Sequence, residues 1–297
     1  MPPAETPLSF AVAAGSWRVD VALLLIAAVG VGYFRCRPAA GAPVYCFAAG
    51  LVTWTVSVTS VIAVYAPVLF WMRALQVLVL LFVVPFLLAL GRPISAVRAV
   101  LSESGRATMD RVVASRVCRV VASPLCTSAA MLGVPWLLYL TPWYVASMAG
   151  VVGSATRILL PIIGFGYFYA RLQGDPVPRR YSPLLSIGIS VVESLGDGLL
   201  GLVLWLGPVI AYGYYAALHR NWGPSLRTDQ SVGAGILWIV GDVLGVPFLA
   251  VLMRGLSRHE KVRAKEVDAE LEDEADAPQS ALWWEADPQL GERFGRR

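Results

Sequence analysis

Charged side chains are scarce in this chain. Of its 297 residues only 15% are Asp, Glu, Lys or Arg, against 57% hydrophobic, whereas a soluble domain is roughly a quarter charged. That shortage excludes a disordered or low-complexity protein and does not suit a soluble enzyme. No nucleic-acid partner is expected. Lysine is missing from residues 1–254, which hold 17 Arg and 9 acids; residues 255–297 carry 7 basic and 11 acidic side chains. Histidine is almost absent too. His219 and His259 both lie outside the long apolar stretches, and no HExxH or HxxxH pair exists. The four cysteines, Cys36, Cys46, Cys118 and Cys126, match neither zinc spacing nor a CxxC pair. Walker A, the Rossmann glycine fingerprint and GxSxG are also missing. An enzyme reading therefore has no nucleophile or metal constellation behind it, and no catalytic residue is assigned.

What the chain has instead is long apolar runs. A helix needs about 20 predominantly apolar residues to cross the hydrocarbon core, and seven stretches qualify: 17–34, 45–65, 68–90, 120–140, 148–170, 184–211 and 231–253. The expected fold is an all-α, seven-span membrane bundle. It divides into an external segment 1–16, a membrane domain 17–254 and a charged cytoplasmic tail 255–297. No basic region precedes the first stretch, so it reads as a span rather than a signal peptide. Arginines gather after the first, third, fifth and seventh stretches, at Arg35 and Arg37, Arg92 to Arg119, Arg171 to Arg180, and Arg254 and Arg258. The alternate loops are nearly bare. The positive-inside rule then puts the N-terminus outside and the C-terminus in the cytoplasm. Between the third and fourth spans, residues 91–119 alternate Arg and Val in a way that predicts a short surface helix on the anionic leaflet.

Apart from Arg18 and Asp20 at the start of the first stretch, five ionisable residues fall within spans: Arg73, Arg157, Glu193, Asp197 and Asp242. Each costs several kcal/mol to insert, so each is expected to face the bundle interior with a partner. Glu193 and Asp197, four residues apart, share a helix face. The expected pairing is Arg157 with Asp197 or Asp242. Two readings stay open for this group, together with Gln76: a buried pair that fixes helix register, or a polar cavity for an ion, a proton or a metal. Small residues at Gly150–Gly153 and Gly164-Phe165-Gly166 are expected to permit close helix approach.

Several segments resemble the CtaG-type cytochrome c oxidase assembly factors, seven-span bacterial proteins linked to copper. The most specific runs from Tyr214-Tyr215 through Trp222-Gly223 and Asp229-Gln230 to Trp238 and Gly241-Asp242, similar to the family's YY…WG…DQ…W…G(E/D) signature. Val84-Pro85 through Gly91-Arg92-Pro93 resembles a second family stretch, and Gly174-Asp175-Pro176 with Arg179-Arg180 resembles its G.DPxPRR loop. The ending around Trp283-Trp284-Glu285 and Asp287-Pro288 is similar to actinobacterial members. From its own position, Asp229 is expected to cap the seventh span at its outer end.

The resemblance implies copper as a cofactor and histidines as ligands, but this chain departs from it there. An HxxQH motif corresponds to Arg73, Gln76 and Val77; a second pair corresponds to Gly153 and Arg157; a sixth-span histidine corresponds to Asp197. A protonated guanidinium offers no lone pair to a metal. The resemblance implies a non-enzymatic assembly factor in the bacterial plasma membrane, surrounded by lipid, with a terminal oxidase subunit or a copper chaperone as partner. The residues alone leave an alternative: a small ion or solute transporter lined by the intramembrane Arg, Glu and Asp side chains. In the tail, 261–276 is expected to extend the seventh span as a solvated helix, with Trp283-Trp284 free to dock on membrane or partner.

Overall fold

The computed structural model describes residues 5–8, 15, 17–36, 38–173, 175–176, 183–243, 245–251, 253, 257, 264 and 267–268. Among these residues there is no strand. The chain separates into two units, Met1–Leu252 and Met253–Arg297, and the first holds all the elements below. His259 and Trp283-Trp284, like most of the expected tail helix, lie outside the described residues.

Helices α1 (Ala22–Arg35) and α2 (Ala42–Thr59) come first, and Ser60 breaks the second. Its hydroxyl accepts from the Ile62 amide and starts α3 (Val61–Tyr65). A turn through Pro67 leads to α4 (Phe70–Leu78), which continues through a π-helical turn (Val79–Val83) into α5 (Val84–Leu90). Three short helices follow: α6 (Pro93–Val100), α7 (Glu103–Val113) and α8 (Arg116–Val121). Then come α9 (Pro124–Leu140), α10 (Trp143–Ala146), α11 (Gly150–Leu172), α12 (Pro183–Leu206), α13 (Tyr212–Ala217) and α14 (Leu226–Gly235), the last running into a second π-helical turn (Ile236–Val240).

Among the described residues, five helices are long and apolar enough to cross a membrane: Ala42–Tyr65, Phe70–Val100, Gly150–Leu172, Ile187–Leu206 and Leu226–Val251. Ala22–Arg35 and Pro124–Leu140 are apolar but shorter. The Phe70–Leu90 region is buried almost all round, including Met72, Ala74, Val77, Leu80, Leu81 and Val84. A helix apolar on every face belongs in the middle of a bundle, and here α2, α11 and α14 pack around it. Glycine makes two of these approaches possible. A Cβ at Gly164 would overlap the Leu81 carbonyl and the Pro85 ring, and one at Gly233 would overlap the Phe70 ring.

Residues 91–119 do not form the single surface helix expected of them. Ser102 and Ser115 accept from the amides of Gly105 and Cys118 and restart the chain twice. Serine competes for backbone hydrogen bonds and so favours helix starts over interiors. Arg98 and Asp110 pair across two of the resulting helices at 2.9 Å. That hydrogen bond holds the exposed Asp110 carboxyl below the usual carboxylate range.

Candidate functional site: polar clusters inside the bundle

Three of the positions singled out by the family resemblance converge. Arg73, one turn into α4, is 1% exposed; its Nη1 donates to Gln76 Oε1 at 2.8 Å and its Nη2 to Ser147 Oγ at 2.7 Å. Gln76 in turn donates to the Ser57 carbonyl on α2 at 2.8 Å. Ser147, which sequence reasoning did not single out, sits just before α11, with its carbonyl 2.9 Å from where a Cβ on Gly153 would lie. The Arg157 guanidinium fills the space beside Gly153, 3.2 Å from the same point. Positions 73, 153 and 157 thus meet at one place. Val77 and Asp197 line a separate small cavity of about 20 Å³ between α4 and α12.

Arg157 does not pair with Asp197 or Asp242. Its partner is Asp20, with Nη2 at 2.6 Å and Nε at 2.7 Å from Oδ2; both side chains are buried. The other Asp20 oxygen accepts from the Ala22 amide at the start of α1. One carboxylate therefore neutralises a buried guanidinium and caps a helix. Its place at the start of the first apolar stretch hid it, 137 residues from its partner.

Asp229 also does something other than expected. The N-cap of α14 is Ser225, whose hydroxyl accepts from Thr228 N. Asp229 instead reaches across to α4 and accepts from the amides of Phe70 and Trp71 at 3.1 and 3.0 Å. Nothing in the local chain caps that helix, because Leu69 is its N-cap residue. Arg220 closes the site at 3.3 Å from Asp229 Oδ2. Gln230, beside it, accepts from Ile210 N and donates to the carbonyls of Leu204 and Pro208, fastening the end of α12. Asp175 repeats the device. It accepts from Ile94 N and Ser95 N at 3.1 and 2.9 Å, capping α6, whose own N-cap Arg92 is in the left-handed region and offers no side-chain bond. Trp238 lies in the second π-helical turn and seats on α12, where Cβ atoms on Gly198 and Gly201 would come within 3.0 and 2.7 Å of it.

A second polar group lies between α11 and α12. Glu193 accepts from Arg171 Nη2 at 2.9 Å and from the Tyr167 hydroxyl at 2.6 Å. The guanidinium lies 4.3 Å from the Tyr167 ring centre and also donates to Ser128 and Ser190. Arg171 is 3% exposed, a buried partner rather than the loop residue its position predicts. It stands in the last turn of α11, where a cation also favours the helix dipole. Asp197 and Asp242 have no such cation among the described residues. Asp242 accepts only from Ser194, at 2.6 Å. With Glu193, they line a cavity of about 310 Å³ whose other walls include Phe82, Phe168 and Phe248. Carboxylates without a counterion within a span are a place for a positively charged group from outside.

These residues do not suit copper. Two of the five positions hold guanidiniums, one holds glycine and one valine; the remaining carboxylate, Asp197, faces a different cavity. No group of three His, Cys, Asp or Glu side chains arranged to hold a metal ion occurs among the described residues. The cysteines are free and scattered, and His219 sits in a turn with φ of 49°.

Comparison with known proteins fits this arrangement. A family model described as Cytochrome c oxidase caa3 assembly factor (Caa3_CtaG) matches residues 28–259. An uncharacterised protein of Mycobacterium leprae is 25% identical over 264 residues, 82% of this chain and 40% of the relative. Uncharacterised proteins of Mycobacterium bovis and Mycobacterium tuberculosis are each 22% identical over 213 residues, 69% of this chain and 32% of theirs. The chain thus spans well under half the length of these relatives. No solved structure matches.

Proposed function

Because the chain belongs to the cytochrome c oxidase caa3 assembly factor family, we propose that it is a membrane-embedded factor that holds or presents an oxidase client during assembly and does not itself carry resident copper. The observation that supports this most directly is the donor set at the positions where the resemblance implies copper ligands: two arginines, a glycine, a valine and a carboxylate apart from them. A scaffold that keeps its helix-capping signature but lacks ligands is suited to positioning a protein, not to binding a soft metal. No catalytic chemistry is assigned to it. In this reading the chain crosses the plasma membrane seven times, the two shorter apolar helices completing the count, with the N-terminus outside and the tail in the cytoplasm. A terminal oxidase subunit or a copper chaperone is the client.

Deleting the gene and measuring assembled oxidase tests the proposal. The expected result is loss of the assembled complex and its haem absorbance, restored by the wild-type chain and not by added copper. Recovery on copper supplementation alone would return metal delivery to the chain. Intact oxidase with altered uptake of an ion or small solute would overturn assembly and favour transport.

A further inference from the structure

Arg73 is out of balance with its surroundings. It is 1% exposed, yet its guanidinium meets only neutral groups, the Gln76 amide oxygen and the Ser147 hydroxyl. Among the described residues no carboxylate lies within ion-pair distance of it. The neighbouring guanidinium of Arg157 already takes the nearby Asp20. Two buried arginines therefore share one acid, and a full positive charge is left inside the bundle. An uncompensated buried charge is among the most costly features a fold can hold.

The hydrogen bonds are out of balance in the same place. Arg73 Nε carries a buried N–H with no acceptor, and the Tyr139 hydroxyl, also buried, has no partner. Contacts join these two residues. Arg73 donates to Ser147, Ser147 donates to the Tyr144 carbonyl, and the Tyr144 ring packs 5.3 Å from the ring of Tyr139. Phe70, three residues before Arg73, packs on both tyrosines at 5.6 and 5.7 Å. Tyr144 does not relieve the shortage, since its hydroxyl is taken by Tyr215 at 2.7 Å. One surplus positive charge and two buried donor atoms with no hydrogen bond at all call for an acceptor that is itself negative.

We infer that the Arg73–Tyr139 cluster binds a small monovalent anion of the halide class, which accepts from Arg73 Nε and the Tyr139 hydroxyl and neutralises the surplus charge. The charge sets the class: one net positive charge suits a monovalent halide, whereas a multiply charged phosphate or sulfate would leave the buried cluster negative.

The test uses the full-length chain purified in detergent, with sodium chloride titrated against sodium gluconate at constant ionic strength. Two readouts are followed, the unfolding temperature and the broadening of the 35Cl NMR line. The expected result is a saturable rise in unfolding temperature with chloride and matching line broadening that bromide displaces. Arg73→Met, which removes the surplus charge, abolishes both responses and is as stable in gluconate as the wild type is in chloride. Tyr139→Phe keeps the charge and removes one donor, so it weakens apparent chloride affinity about tenfold, the size of one charge-assisted hydrogen bond. Should Arg73→Met fail to fold, Tyr139→Phe decides alone. No chloride-specific response in the wild type, or an unchanged response in Tyr139→Phe, would overturn the inference. The same holds for a response that persists in Arg73→Met, which marks an adventitious ion only.

Discussion

The Asp20–Arg157 pair gives the sharpest quantitative test of the fold, because sequence and structure assign Arg157 different partners. Asp20 is held from two sides, by Arg157 at 2.6–2.7 Å and by the Ala22 amide at 2.9 Å. Replacing it with Asn keeps the shape and one acceptor for the amide but leaves a buried guanidinium beside a neutral group. Breaking a buried pair from one side costs about 3–5 kcal/mol. Arg157→Met removes the stranded charge, so the double variant should be less destabilised than the sum of the singles, by a coupling energy of roughly 2–3 kcal/mol. The same cycles with Asp197→Asn and Asp242→Asn should show coupling to Arg157 of under about 0.5 kcal/mol, as expected of residues that share no contact. Reversible unfolding in mixed micelles, followed by tryptophan fluorescence, supplies all the free energies. A coupling of 2 kcal/mol or more between Arg157 and Asp197, with none to Asp20, would refute the packing of α1 against α11.

Five other substitutions separate parts of the scaffold. Asp229→Ala takes away the cap of α4 and strands Arg220, and should cost about 2–4 kcal/mol, two charge-assisted bonds of 1.5–3 each less some relaxation; Asp175→Ala should free only α6, visible as faster amide exchange at Ile94 and Ser95 with little change in global stability. Gly164→Ala forces α11 off α5 and should destabilise by about 1–3 kcal/mol, whereas Gly166→Ala, with nothing within 4 Å, should be neutral or slightly stabilising by helix propensity. Asp197→Asn removes no hydrogen bond, so protein levels and unfolding temperature should hold or rise; a drop in assembled oxidase under those conditions would place the client against the α12 cavity, and collapse of the protein itself would show Asp197 to be structural.

The apolar runs were the legible part of this chain, because in a bilayer the core must be apolar over a fixed length whatever the fold. The helices at 42–65, 70–90, 150–172 and 187–206 follow from that alone, and so does the burial of Arg73, Arg157 and Glu193 within them, while Asp197 is only half-buried. Their partners were not legible. Arg157 finds Asp20, at the edge of the weakest apolar run, and Glu193 finds Arg171, which reads as a loop cation because it is the last charge before the Asp-Pro segment. Pairing in a bundle depends on which helix faces meet, and a sequence gives the faces of one helix without giving their neighbours. The break of 91–119 into three helices was closer to reach, since Ser102 and Ser115 are good N-cap residues; the Arg–Val periodicity outweighed them. Asp229 was read as an acid near a helix start, which is right, but the start it serves is 159 residues away.

That last displacement bears on what the family signature is for. Asp175 and Asp229 each use both carboxylate oxygens to close the first turn of a helix that has no cap of its own, and in each case that helix belongs to the stretch running on from Phe70. Gln230 ties down the end of α12, and Trp238 needs Gly198 and Gly201 to seat. None of these residues reaches the place where Arg73, Gly153 and Arg157 meet. These four residues and the site are therefore physically separable, although Tyr215 of the same signature bonds Tyr144 beside it, so the capping part can persist while the site changes chemistry. Such a change is not free of constraint. A guanidinium carries its own positive charge into the bundle and requires an anion once it is desolvated. Asp20 meets that requirement for Arg157, and Arg73, still without an acid, is where the chemistry of this chain has to be looked for.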